Sequence, residues 1–185
     1  MGNERRNAAE MIGSGRLVLR KATSADAASL SAFGARTFGE AFGANNTQAD
    51  MEAYLAESFS PSIQLAEITD PAAVTTLAVE SGGPTETLAG YLYLVEDPDP
   101  ASLFLKRIYV DKGWQGSGLG GLLIEEARRE CRRRERQRLW LTVWERNPRA
   151  VAFYEREGFR VSGTTTFQLG DDIQTDFVME TMVPA

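Results

Sequence analysis

At 185 residues, 43% of them apolar and 25% charged, the chain has the make-up of one globular domain with a real core, not of a disordered segment. It has no histidine and a single cysteine, Cys131, which excludes Ser-His-Asp and Cys-His catalysis, histidine metal sites, an intrachain disulfide and a thiolate metal cluster. The net charge of −6 is unevenly spread: eleven carboxylates and no lysine or arginine lie between Thr37 and Leu105, which favours a cationic partner and disfavours nucleic acid.

The first ten residues are polar and lack the apolar stretch of a signal peptide, and no run approaches the length of a membrane span. A soluble, cytoplasmic protein with no membrane partner is expected. Residues 1–15 read as a loosely ordered or disordered tail and 16–185 as a single domain. Arg16–Lys21 alternates as a first strand. Thr23 or Ser24 then caps a helix over about 24–42, weakened near its end by Gly34, Gly39 and Gly43. Asn46 or Thr47 caps a second helix over about 47–60, with Asp50 at the capping-box spacing. Pro61 ends it or starts another. Ala73–Glu80 and Thr87–Val95 read as strands joined by the turn Ser81-Gly82-Gly83-Pro84. Asp97-Pro98-Asp99-Pro100 is a rigid break before the strand Leu103–Val110.

A helix follows from Leu119 to about Arg136. Leu119, Leu122, Leu123, Ala127 and Cys131 form its apolar stripe, so Cys131 reads as a packed thiol. Its arginine-rich end reads as a solvated face with i,i+4 pairs Glu125–Arg129 and Glu130–Arg134. Leu139–Trp144 is the next strand. Asn147 caps a helix with Pro148 at its first position, and Gly158 closes it. Strands over about Phe159–Phe167 and Ile173–Met182 meet at a hairpin near Gly170-Asp171-Asp172. Trp114, Trp140 and Trp144 read as packing residues. Strands 103–110 and 139–144 are parallel around a crossover helix, and the others pair as antiparallel hairpins. The fold class is therefore mixed α/β: a central, mostly antiparallel sheet with one parallel pair and helices on its faces.

Between the strand 103–110 and the helix at Leu119 lies Gln115-Gly116-Ser117-Gly118-Leu119-Gly120. Glycine N–H groups running into a helix N-terminus suit an anion such as a pyrophosphate. A P-loop is excluded, because no Gly-Lys-Ser/Thr follows. Gly116, Gly118 and Gly121 match a dinucleotide G-x-G-x-x-G, although five turn residues separate them from the strand. Gln115, Gly118 and Gly120 match Gln/Arg-x-x-Gly-x-Gly/Ala. A plain turn before a helix remains the structural alternative.

The third pattern resembles the coenzyme A loop of the GCN5-related N-acetyltransferases. A second motif follows at the right separation: Asn147-Pro148-Arg149-Ala150-Val151-Ala152-Phe153-Tyr154-Glu155-Arg156-Glu157-Gly158-Phe159 is similar to the family's N-x-x-A-x-x-F-Y-x-x-x-G-F. The resemblance spans about Arg16 to Met182. Within it, Phe38–Leu55 and Phe167–Met179 resemble bacterial spermine/spermidine acetyltransferases of the PaiA type.

The resemblance implies that the two parallel strands splay and that acetyl-CoA, with no metal, lies between them. Ile108, Tyr109 and Val110 would line the pantetheine arm, and Gln115, Gly116, Ser117, Gly118, Leu119 and Gly120 the pyrophosphate. Asn147 and Tyr154 complete the coenzyme site. Val110 N–H would donate to the oxyanion and Tyr154 would protonate the leaving thiolate. Relatives often carry a glutamate on the strand before the loop, where this chain has Phe104 and Lys106. They often carry a histidine where it has Thr165. The base is left between Glu145 and a water chain. Glu40, Asp50 and Glu52 would hold a small cationic amine, a polyamine by the narrower resemblance. A coenzyme A-binding regulator without turnover, a transferase acting on peptide amines and a dinucleotide oxidoreductase remain open at this stage. So does a homodimer.

Overall fold

The computed structural model describes residues 9–12, 15–81, 86–169 and 172–184. Eight strands form one sheet: β1 (Ala9–Ile12), β2 (Gly15–Lys21), β3 (Ala73–Ser81), β4 (Thr87–Glu96), β5 (Ser102–Val110), β6 (Arg138–Trp144), β7 (Arg160–Leu169) and β8 (Asp172–Met182). Their spatial order is β1-β2-β3-β4-β5-β6-β8-β7. Only β5 and β6 run parallel, joined by the long crossover that a parallel pair requires. The mixed, mostly antiparallel sheet read from the sequence is the one formed. Most of the tail expected over 1–15 lies outside the described residues, as does the turn over 82–85; within the tail, Ala9–Ile12 pair with β2.

Helices cover both faces. On one lie α4 (Leu119–Arg133) and α5 (Pro148–Arg156). Leu119, Leu123, Ile124, Ala127 and Cys131 pack there against Leu92, Leu103, Leu105, Leu139 and Leu141. Burial pushes the Cys131 thiol up to about 11, which suits packing and not nucleophilic chemistry. On the other face lie α1 (Ala27–Phe42), α2 (Gln48–Phe59) and α3 (Pro61–Thr69). Leu30 and Phe33 pack on Leu77, Tyr91 and Tyr93, and a second cluster gathers Phe38, Met51, Phe59 and Leu169.

Local signals set the helix ends. Thr23 and Asp26 form a capping box around a 3-10 turn that leads into α1. Thr47 accepts from Asp50 N–H, and Ser60 from Ile63 N–H, with Pro61 in the first turn of α3. Pro61 thus starts a third helix. α1 runs unbroken past Gly34, where the Phe59 ring leaves no room for a side chain: a Cβ there would stand 2.6 Å from that ring. α4 ends at Arg133, three residues before the expected end. Glu130 does pair with Arg134, at 2.8 Å, but Arg129 meets Glu126 and not Glu125, which bonds to Arg132 at 2.7 Å.

Candidate active site

The site begins where β5 and β6 part. Their ladder covers Ser102–Phe104 against Arg138–Trp140. Beyond it β5 stays paired with β4 and β6 with β8, so the two parallel strands open toward their C-terminal ends. Asp111 N–H donates to Ala89 C=O at 2.8 Å. By antiparallel alternation, Tyr109 then exchanges its bonds with β4, while Ile108 and Val110 turn theirs into the opening. Tyr109 therefore differs from the two residues grouped with it. Its ring packs on Tyr91 at 5.6 Å and Phe59 at 6.2 Å, on the α1–α3 face.

The chain leaves β5 through Asp111, whose carboxylate accepts from Gly113 N–H at 2.8 Å and pairs with Arg36 at 2.6 Å. A 3-10 turn over Lys112–Trp114 leads into the glycine loop. Gly116 and Gly118 have φ of +81° and +93°, and nothing lies within 4 Å of a Cβ at either. Such backbone suits glycine; within the loop Gln115 N–H and Ser117 N–H bond back to Lys112 and Trp114 C=O, at 3.4 and 3.3 Å. Gly118 is the N-cap of α4, and Leu122 N–H to Gly118 C=O, at 3.1 Å, is the helix's first full-turn bond. The N–H groups of the first turn thus point along the helix dipole toward the loop. Ser117 folds back onto Trp114 C=O at 2.6 Å. Gln115 is held between Val110 C=O and Arg149, at 3.3 and 2.9 Å. Arg149, from α5, brings a cation to the loop that the motif pattern did not single out.

Asn147 caps α5, its side-chain oxygen accepting from Ala150 N–H at 3.1 Å, which leaves its NH2 group for another contact. The helix ends in a Schellman motif: Phe159 N–H reaches Tyr154 C=O and Gly158 N–H reaches Glu155 C=O. That motif fixes Tyr154, whose ring also meets Phe159 at 5.7 Å. Tyr154 is buried, which pushes its phenol pKa up and keeps it protonated.

On the acceptor face, the three carboxylates picked from sequence are engaged by near neighbours. Glu40 pairs with Arg36 at 3.1 Å, Asp50 bonds to Thr47 at 2.6 Å, and Glu52 accepts from Gln48 at 2.7 Å. Lys106 lies at a bulge in β5, near Glu67 at 3.6 Å, and Phe104 stacks on Trp140 at 4.2 Å. Glu145 is exposed. Thr165 stands directly opposite Asp176 in the β7–β8 register. Sequence reasoning passed over Asp176, which is 6% exposed. Burial, together with the Glu145 charge, pushes its carboxyl up, and the Thr142 hydroxyl beside it works the other way. An acid on the buried parity of β8 was the available signal. Among the described residues, no group of three or more His, Cys, Asp or Glu is placed to hold a metal, and no helix is long and apolar enough to cross a membrane.

The acetyltransferase (GNAT) family model matches residues 39–159, which contain the opening, the loop and α5. An uncharacterized N-acetyltransferase of Lactobacillus delbrueckii subsp. lactis is 35% identical over 150 residues, 78% of this chain and 84% of the relative. The PaiA N-acetyltransferase of Thermoplasma acidophilum, solved in complex with coenzyme A, has the same fold: TM-score 0.75, 21% identity, 90% of this chain and 98% of the other. So does the spermidine N-acetyltransferase of Vibrio cholerae solved with CoA and spermine, at TM-score 0.65 and 20% identity over 90% and 95% of the two chains. With its opened β5–β6 pair, its glycine loop and a match over most of its length, this chain belongs to the GNAT family of acetyltransferases.

Proposed function

We propose that the protein transfers the acetyl group of acetyl-CoA to a primary amine of a small cationic acceptor, a polyamine. The observation that carries this reading is the opened β5–β6 pair leading, through one 3-10 turn, into a positive-φ glycine loop at a helix N-terminus. The fit to coenzyme A is physical. Ile108 and Val110 offer a strand edge that no neighbouring strand pairs with to an extended, amide-bearing arm, which would take the Val110 C=O in place of the Gln115 side chain. The loop offers N–H groups, and space that any Cβ would take, to a pyrophosphate. Asn147 would meet the arm from the β6 side with the NH2 group its capping bond leaves over.

Each residue then has one task. Val110 N–H donates to the carbonyl oxygen as negative charge develops there. Tyr154 gives its proton to the departing sulfur. The acceptor enters from the face of Tyr54 and Tyr109, where Trp144 meets Phe42 of α1 at 6.1 Å and where Asp50 and Glu52 of α2 attract its remote ammonium groups. The spermine bound by the Vibrio cholerae enzyme is of that chemical class, which supports the polyamine assignment.

The test begins with melting temperature. Acetyl-CoA at a hundred times its Kd should stabilise the fold by about 2.7 kcal/mol. Gly118→Val should remove that shift while the protein still folds, because the valine meets only backbone strain, about 1–3 kcal/mol, and open space. Thiol release should then follow addition of spermidine or spermine. A shift with NAD and none with acetyl-CoA, or binding without thiol release from any amine, would reject the assignment.

A further inference from the structure

Removing a proton from an alkylammonium near pKa ~10.4 requires an acceptor group, and the strand before the loop supplies Phe104 and Lys106 where a carboxylate would serve. Asp176 is the buried acid nearest in character to such a group. Counting along the parallel pair from Phe104 beside Trp140, with the bulge at Lys106 taking up one residue, Tyr109 and Val110 come level with Trp144 and Glu145. Asp176 is the direct partner of Trp144 across β6 and β8. Leu139, Leu141 and Val143 point into the core under α4, so Thr142 and Trp144 face the other way. Paired residues share a face, which puts Asp176 on the Tyr109 side, at the level of the opening. A cleft of about 240 Å³ is lined by its neighbours Trp144, Glu145, Gln174 and Thr175, with Arg146 and Asp172, and Asp176 itself lies behind that lining.

The carboxylate is poorly provided for. Asp176 Oδ1 is buried without a hydrogen-bond partner among the described residues. A buried acceptor left so is costly, and an incoming N–H donor relieves the cost. Glu145 is the charged group whose field acts on it, and it raises the proton affinity further; Thr142, Trp144 and Thr165 around it carry no charge.

We propose that Asp176 takes up the proton of the acceptor ammonium, with Thr142 positioning its carboxylate. This rests on the amine acetyltransferase reading. The N–H bond of the ammonium breaks and an O–H bond forms on Asp176. The freed nitrogen lone pair forms the C–N bond to the acetyl carbon, and the C–S bond breaks. The sulfur takes the Tyr154 proton, and the second proton lost by the nitrogen returns to Tyr154. Asp176 passes its proton to solvent, so one proton is released per turnover.

Asp176→Asn tests this. Its acetyl-CoA melting shift should stay as in the wild type. Its kcat/KM for spermidine should fall by about 10²-fold or more, and the acidic limb of its pH–rate profile should vanish. An aromatic amine, unprotonated at neutral pH, should lose less than tenfold. Glu145→Gln removes a field that holds the Asp176 proton, so it should move the acidic limb to lower pH and keep it. Equal losses for both acceptors, an unchanged kcat/KM, or a limb lost in Glu145→Gln and kept in Asp176→Asn would overturn the assignment while leaving the acetyltransferase reading intact. A wild type that releases thiol with neither acceptor would overturn both.

Discussion

Tyr154 sits where a phenol keeps its proton, and that raises a question of strength. A group whose pKa is pushed up is a weaker acid, yet the sulfur it would protonate is released into the same apolar surroundings. Desolvation destabilises thiolate and phenolate alike, so the transfer need not become uphill. Stability and turnover together separate a chemical role for the hydroxyl from a packing one. Tyr154→Phe should leave the melting temperature and the acetyl-CoA shift close to wild type. A satisfied core hydroxyl would instead cost about 1 kcal/mol when removed. With polyamine as acceptor, kcat should fall by about 10²-fold. Steady-state kinetics beside a thermal melt gives the answer, and an unchanged kcat would demote the residue to packing. Asn147 and Tyr154 were legible because their motif is local, a cap at one end of α5 and a Schellman turn at the other. Asp176 was not, because its exposure depends on a strand neighbour, Trp144, more than thirty positions away.

α4 carries the loop at one end and an ion cluster at the other. Glu130, 3% exposed, meets Lys21 of β2 at 3.2 Å, Arg133 at 2.5 Å and Arg134 at 2.8 Å. Burial alone would raise its carboxyl pKa, but the Arg134 hydrogen bond and the charges of Lys21 and Arg133 outweigh it and hold the group below its usual range. A folded-state pKa below the unfolded value gives stability that is present above the unfolded value and is lost as pH falls through the folded one. Glu130→Gln should therefore be less stable than wild type at pH 7, by about 1–3 kcal/mol. The gap should begin to close as pH falls below the usual carboxylate range of ~4 and shrink further as Glu130 takes up its proton in the folded state. Denaturant melts at pH 7 and pH 3 would measure it, and a gap that persists in acid would assign the cost to packing. Asp176→Asn runs the other way: its carboxyl is raised, so the neutral variant should gain stability at pH 8 and lose that gain below pH ~4. The Glu130–Arg134 pair, set by helix spacing, could be read from sequence. The bulges at Ala78/Val79 and Tyr93/Leu94 could not, since a bulge is defined only against its paired strand.

Across the molecule, five of the eleven acids in the stretch from Thr37 to Leu105 meet the chain's own arginines. Glu40 meets Arg36, Glu67 meets Arg107, Glu86 meets Arg20, Glu96 meets Arg134, and Asp99 meets Arg138. Each of these basic residues lies outside the stretch, so the asymmetry seen in sequence is partly the two halves of a cross-linked fold. The acceptor argument narrows accordingly. Glu40 shares its charge with Arg36; Glu52 accepts from the uncharged Gln48, and Asp50 takes the Thr47 hydroxyl bond among its contacts. Both lie on α2, beside the Tyr54–Phe38–Phe167 aromatic wall. Their pull on a remote ammonium would act through solvent and be screened within a Debye length of about 8–10 Å at physiological salt. Two such pairs are worth roughly 1 kcal/mol together, or about a fivefold change in apparent affinity. Raising salt from 50 to 300 mM should thus increase the KM for spermidine by about three- to fivefold. The KM for a monoamine of similar length, which has no second charge to lose, should change by less than twofold. The paired comparison cancels any general effect of salt on the enzyme. Equal responses from the two amines would remove α2 from the acceptor site and leave the cationic acceptor to the β6–β8 side, at Asp176.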